Sequence, residues 1–171
     1  MHYMTEVLPG ERTAVIGVSL GAASFVLSKV SPAPDAAVLE SMFPTLEEAV
    51  ADRLELHAGP MASMFTPLLL WQLPIRLGFS ADALRPIADL PALHCPVLIA
   101  SGAEDRHTTL RETKRLFESA GQPKELWVVG GAAHDVEGVD LARMAQPGGL
   151  HQFLQGVQGL LVEVEHPVCL V

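Results

Sequence analysis

Near the start of the chain a serine stands between two glycines, in Gly17-Val18-Ser19-Leu20-Gly21. A strand-like run, Thr13 to Gly17, leads into it, and small and apolar residues suited to a buried helix, Ala22 to Val30, follow. Strand, tight turn and helix is the context in which Gly-x-Ser-x-Gly forms a nucleophile elbow. The turn is so tight that side chains at positions 17 and 21 would collide, which is the reason for glycine at both. Ser19 is thereby held in a strained backbone conformation with its hydroxyl projecting. The helix directs the positive end of its dipole at that hydroxyl, and the Leu20 amide can donate to a developing oxyanion. The chemistry implied is attack by Ser19 on an acyl carbon. The plainer reading of the same residues is a Gly-Ser turn joining strand to helix.

A serine hydroxyl needs a base, and the base needs an orienting acid. Asp105 follows the apolar run Pro96 to Gly102, in Ser101-Gly102-Ala103-Glu104-Asp105. His134 follows the run Glu125 to Val129, in Gly130-Gly131-Ala132-Ala133-His134. Both lie in loops after strands, where ligands bind in open α/β sheets. In these roles His134 takes the proton from Ser19, and Asp105 orients the imidazole and stabilises its charged form. Glu104 competes with Asp105 by adjacency, and His107 is a rival base two residues beyond Asp105 in the same loop. The remaining histidines, His2, His57, His94, His151 and His166, have no convincing partner spacing. His134-Asp135 with Asp140 is too weak a pattern for a metal site, and no cofactor is expected.

These loops need strands to carry them. Pro96 to Gly102 is a continuous apolar run of the kind buried on both faces, and Ala36 to Glu40 and Glu125 to Val129 are further strand candidates. Helical patterns alternate with them. Thr45 caps one helix, with Glu47 and Glu48 in its first turn and Leu46, Val50 and Leu54 on its apolar side. Thr109 to Ala120 is amphipathic, with Leu110, Leu116 and Phe117 inward and Gly121 as the expected C-cap. Ser80 is a candidate cap for a short helix from Ala81, and Leu150 to Leu161 has helical apolar spacing. Alternating strands and helices indicate a single α/β domain over residues 1–171, with a mostly parallel sheet flanked by helices.

Composition excludes several classes of function. The 171 residues carry a formal net charge of −9, with 11 Lys and Arg that are scattered, so no basic face exists for a nucleic-acid partner. Cys95 and Cys169 make neither a disulfide framework nor a metal cluster, in keeping with a reducing, cytoplasmic setting. Met1 to Val7 lacks the basic-then-apolar pattern of a signal peptide. Leu56 to Ile75 contains no Asp, Glu, Lys or Arg, but Pro60, Pro67 and Pro74 interrupt it. That argues against a membrane-spanning helix and for a buried or substrate-facing segment.

Three passages resemble the α/β-hydrolase superfamily. They are Ala14-Val-Ile-Gly-Val-Ser-Leu-Gly-Ala22, Cys95-Pro-Val-Leu-Ile-Ala-Ser-Gly-Ala-Glu-Asp-Arg-His-Thr108 and Lys124-Glu-Leu-Trp-Val-Val-Gly-Gly-Ala-Ala-His134. They look like the nucleophile strand and elbow, the acid strand and loop, and the last strand with the histidine loop, and they occur in the order Ser, Asp, His expected of that architecture. The resemblance, to members labelled esterase-, dienelactone-hydrolase- or serine-peptidase-like, covers about residues 10 to 134. It implies a serine hydrolase acting on a small acyl or ester substrate, with residues 43–92 as a helical cap insertion. A complete member has four strands before the nucleophile strand, and the loop after the third supplies a second oxyanion amide. Only about twelve residues precede that strand here, so the resemblance implies the C-terminal part of the fold. The nucleophile strand would then be a sheet edge open to homodimerisation. The alternative function is a catalytically silent fragment or binding module that keeps the elbow as scaffold.

Overall fold

The β-branched and apolar runs form strands, and each is joined to the next through helical segments long enough to cross back over the sheet. The architecture, seen in a computed structural model, is described for residues 2–7, 9–10 and 12–134. Helix α1 (His2–Val7) precedes β1 (Ala14–Val18), α2 (Leu20–Ser28) and β2 (Ala36–Glu40). Between β2 and β3 (Val97–Gly102) lie α3 (Leu46–Ala58), α4 (Thr66–Leu70), α5 (Gln72–Leu77) and α6 (Pro86–Asp89), with 3-10 turns at Ala62–Phe65, Ala81–Ala83 and Leu90–Ala92. Helix α7 (Leu110–Ser119) leads to β4 (Lys124–Val129). The four strands form one sheet in the order β1-β2-β3-β4, every pair parallel. Among the described residues β1 and β4 are its two edges.

β2 and β3 are buried along their whole length, which is why they read as unbroken apolar runs. On one face Ala37, Leu39, Val97 and Ile99 pack with Ala22, Ala23, Phe25 and Val26 of α2, Leu116 of α7, and Leu90. On the other face Val38 and Leu98 pack with Ile16 and Trp127. Cys95 is a buried free thiol within the first cluster, and burial pushes its ionisation above the ordinary thiol range.

Caps set the helix starts. Thr45 Oγ1 accepts the Glu48 amide at 3.1 Å, as the sequence leads one to expect. Thr109 and Glu112 form a reciprocal capping box on α7. Two expectations fail. Ser80 precedes a 3-10 turn, but its side chain makes no capping bond. Gly121 is not a left-handed cap; α7 ends at Ala120 in extended conformation. The Lys124 ammonium takes over that task, donating to the carbonyls of Phe117, Glu118 and Ala120 at 2.7, 3.0 and 2.8 Å. A cation on the last carbonyls meets the same need as a glycine turn.

The charge-free segment is broken into short helices near its prolines, and most of its large side chains are not buried. Met61, Trp71 and Ile75 are 73%, 66% and 68% exposed. Helices of this length turn little of their surface onto α3 and leave the rest outward. No described helix is long and apolar enough to cross a membrane. The helical run at Leu150 to Leu161, Asp135, Asp140, His151, His166, Cys169 and the remainder of 135–171 lie outside the described residues.

Candidate active site

Ser19 sits between the end of β1 and the first turn of α2 with φ 49° and ψ −112°, a strained conformation for a residue with a side chain. Its neighbours enforce this. A Cβ on Gly17 would lie 2.6 Å from the Ala22 Cα, closer than any side chain tolerates, so the turn closes only over glycine. Gly21 lies in the first turn of α2. The Ser19 amide donates to the Glu40 carbonyl at 2.8 Å, which ties the elbow to the end of β2. The first intrahelical bond of α2 runs from the Ala23 amide to the Ser19 carbonyl at 3.1 Å. The Leu20 amide therefore stands ahead of the helical ladder, at the positive end of the helix.

The loop after β3 carries Asp105, whose side chain is fully buried. One carboxylate oxygen, Oδ1, accepts the amides of His107 and Thr108 at 2.8 and 2.9 Å. The other, Oδ2, lies 2.8 Å from His134 Nδ1, and His134 Nε2 lies 3.3 Å from Ser19 Oγ. The three residues singled out from sequence are thus brought into one hydrogen-bonded row. Glu104, the adjacent competitor, is exposed. His107 gives its amide to Asp105 and packs its ring 4.7 Å from that of His134, centroid to centroid. The imidazole nitrogen next to Ser19 Oγ belongs to His134. No cluster of His, Cys, Asp and Glu suited to a metal ion occurs among the described residues.

Two site-building residues escaped the sequence reading. Gly102, at the end of β3, touches the histidine loop: a Cβ there would lie 2.3 Å from the Ala132 carbonyl oxygen. The amides of Ala103 and Glu104 donate to the carbonyls of Val129 and Ala132, both at 2.9 Å, so the acid loop and the histidine loop are stitched together. A glycine closing an apolar strand was the available signal. Glu40 is the second. It closes β2, only 9% exposed, and its carboxyl is pushed above the ordinary range chiefly by burial and also by Asp105, against the lowering effect of His134.

Comparison with known proteins bears on the fold. The chain is 32% identical over 124 residues to the uncharacterized protein Rv2307c of Mycobacterium tuberculosis, covering 72% of this chain and 38% of that one. It is 26% identical over 121 residues to the uncharacterized protein YqkD of Bacillus subtilis, covering 69% and 40%. This chain therefore spans about two fifths of the length of the curated relatives it matches. No family model matches. Among solved structures, an esterase of Pyrococcus furiosus superposes with a TM-score of 0.63 at 19% identity, over 91% of this chain and 58% of that one. A metagenomic α/β hydrolase enzyme from lagoon sediment gives 0.51 at 20% identity, over 91% and 65%. The chain has the α/β-hydrolase fold. The acylaminoacyl peptidase of Pyrococcus horikoshii shares it, with a TM-score of 0.57 at 15% identity, over 98% of this chain and 27% of that one.

Within an α/β-hydrolase fold, β1 to β4 place Ser19, Glu40, Asp105 and His134 at or just beyond their carboxyl ends. This is the edge of a parallel sheet where strand ends open onto a ligand. A hydroxyl, an imidazole and a carboxylate in series can pass a proton from oxygen to nitrogen while the carboxylate offsets the charge formed.

Proposed function

We propose that this chain carries the reaction centre of a serine hydrolase that cleaves carboxylic esters or related acyl compounds through an acyl-Ser19 intermediate. The observation that carries the reading is the hydrogen-bonded row Ser19–His134–Asp105. Ser19 Oγ attacks the carbonyl carbon as its proton moves to His134 Nε2. The new oxyanion receives a hydrogen bond from the Leu20 amide, where the dipole of α2 favours negative charge. The imidazolium returns the proton to the departing alkoxide or amine, and the tetrahedral adduct collapses to the acyl-serine. A water molecule, deprotonated by His134, then attacks the ester so formed and restores Ser19. The Ser19–His134 separation of 3.3 Å is long for a hydrogen bond between oxygen and nitrogen but leaves the imidazole within reach of the hydroxyl proton.

A fluorophosphonate probe tests this directly. It should label the full chain at Ser19, lose the label in Ser19→Ala and label slowly in His134→Ala. Folded protein that takes no label would leave a silent module built on the same scaffold.

A further inference from the structure

We propose that the outward face of the helical strip from Met61 to Leu77 is a docking surface for a zwitterionic phospholipid layer, on which the protein lies without crossing it. The proposal is independent of the reading of Ser19, since a silent module would dock as well.

The strip is one nearly continuous helical path. The 3-10 turn Ala62–Phe65, α4 and α5 follow one another, and the joining residues Phe65, Thr66 and Trp71 all keep right-handed helical backbone. Along such a path, residues three and four apart share a face. Met61, Met64, Phe65, Leu68, Trp71 and Ile75 are spaced in that way, and each is more than half exposed. The opposite face holds Ala62 and Thr66, both buried, with Leu70 and Leu73 half-buried. An ordinary surface helix turns its large apolar side chains to the core. Here small residues point in and large apolar ones point out, and a contiguous exposed apolar face marks an interaction site.

Charge decides what this face fits. Leu56 to Ile75 carries no Asp, Glu, Lys or Arg, in a chain of net charge −9. Anionic lipid is bound by clusters of Lys and Arg, whereas Arg76 is the one basic residue of the strip and the chain as a whole is acidic. A zwitterionic surface asks for no such cluster. A protein partner is held in register by hydrogen bonds, yet among the six outward side chains the one N–H donor is the Trp71 indole. Tryptophan, with an apolar body and that polar edge, suits the boundary between acyl chains and headgroups. No described helix is long and apolar enough to cross a membrane, so the strip lies in the plane of the surface. It leaves α3 beside the reaction centre: the ring of His57, near the end of α3, is 6.2 Å from that of His107, which packs on His134.

The test is flotation of the full chain with phosphatidylcholine vesicles, and with vesicles that also contain phosphatidylglycerol. Wild type should float with the first and less with the second at low salt, the deficit closing as salt screens the charge. Leu68→Glu and Trp71→Glu should each weaken vesicle binding about tenfold, because a charge replaces apolar area that docking buries. Tyr3→Glu, which removes an exposed ring of α1 outside the strip, should leave binding unchanged. Acrylamide quenching reads the wild type without any substitution. Trp71 is exposed and Trp127 packs against the sheet, so quenching should fall when phosphatidylcholine vesicles are added. Folded wild type that fails to float, or floats with quenching unchanged, overturns the proposal. So does flotation that the two strip variants leave intact, or that Tyr3→Glu lowers equally. A wild type that stays off vesicles and sediments as a dimer, with Leu68→Glu a monomer, assigns the face to a second copy and overturns it too. Preference for the phosphatidylglycerol vesicles overturns the assignment to a zwitterionic surface. Probe labelling of Ser19 without flotation sinks this proposal alone, and flotation without labelling sinks the hydrolase reading alone.

Discussion

Gly102 and Ala132 meet backbone against backbone: a Cβ on Gly102 would stand 2.3 Å from the Ala132 carbonyl oxygen. That oxygen also receives the Glu104 amide at 2.9 Å. The approach sets the distance between the loop that carries the acid and the loop that carries the base. It lies two residues from His134 and three from Asp105.

Gly102→Ala should therefore push the histidine loop away from the acid loop. The expected loss of stability is about 1–3 kcal/mol, the usual range for overpacking, with a larger loss of Ser19 labelling than of melting temperature. Thermal melts beside probe labelling check this. A variant that labels at the wild-type rate would show that the loops find another way to meet.

Gly17→Ala places its methyl 2.6 Å from the Ala22 Cα, in backbone that has no soft side chain to yield. The elbow must open, so folded yield and Ser19 labelling should both fall. Gly10→Ala serves as a control for position without crowding, because nothing lies within 4 Å of a Cβ there, although its φ of 87° makes it a strained control. Melting temperatures of the two variants should differ clearly, with Gly17→Ala the lower.

Asp105→Asn keeps a carbonyl for the His107 and Thr108 amides while removing the charge beside His134. Turnover should fall by about 10³–10⁴, with a much smaller change in melting temperature. Asp105→Ala should lower both, because two amides then lose their acceptor. The contrast between the two variants separates orientation of the imidazole from construction of the loop.

Away from the site, Asp52 of α3 has its carboxyl pushed up to about 7, first by burial and then by the carboxylates of Glu112, Glu55 and Glu48. The folded chain thus holds that proton more tightly than the unfolded chain, where the value is 3.8. Stability from this group is full below that unfolded value and is lost as pH rises through about 7. Asp52→Asn should be more stable than wild type at pH values above this window, by about 1 kcal/mol after allowance for solvent screening. The advantage should close towards acid pH in melts taken across the range.

The site was legible where chemistry forces local sequence. An elbow needs glycine at position 17, and the apolar run before Asp105 announces a buried strand that ends in a loop. Strand ends shifted by a residue at most, Thr13–Gly17 becoming Ala14–Val18, while α2 begins at Leu20 rather than Ala22 because Gly21 is accommodated in its first turn. What the sequence could not display is contact between distant segments. Nothing near Gly121 shows that Lys124 would serve the carbonyls of α7, and the string Ala-Ala-Val-Leu-Glu gives no sign that the carbonyl of its last residue would hold the Ser19 amide. The exposed side chains of the charge-free segment were hidden for a related reason, since hydropathy reports composition and not which way a short helix faces.

One carboxylate in this protein answers to two masters. Asp105 shapes its own loop with one oxygen and steadies His134 with the other. A lineage that ceased to need hydrolysis could let Ser19 or His134 drift, yet replacing Asp105 by a residue without a side-chain acceptor would still cost the turn two hydrogen bonds. The acid should accordingly outlast the activity. An aspartate at this position in a related sequence is then weak testimony of catalysis, and the serine and histidine are the witnesses to consult.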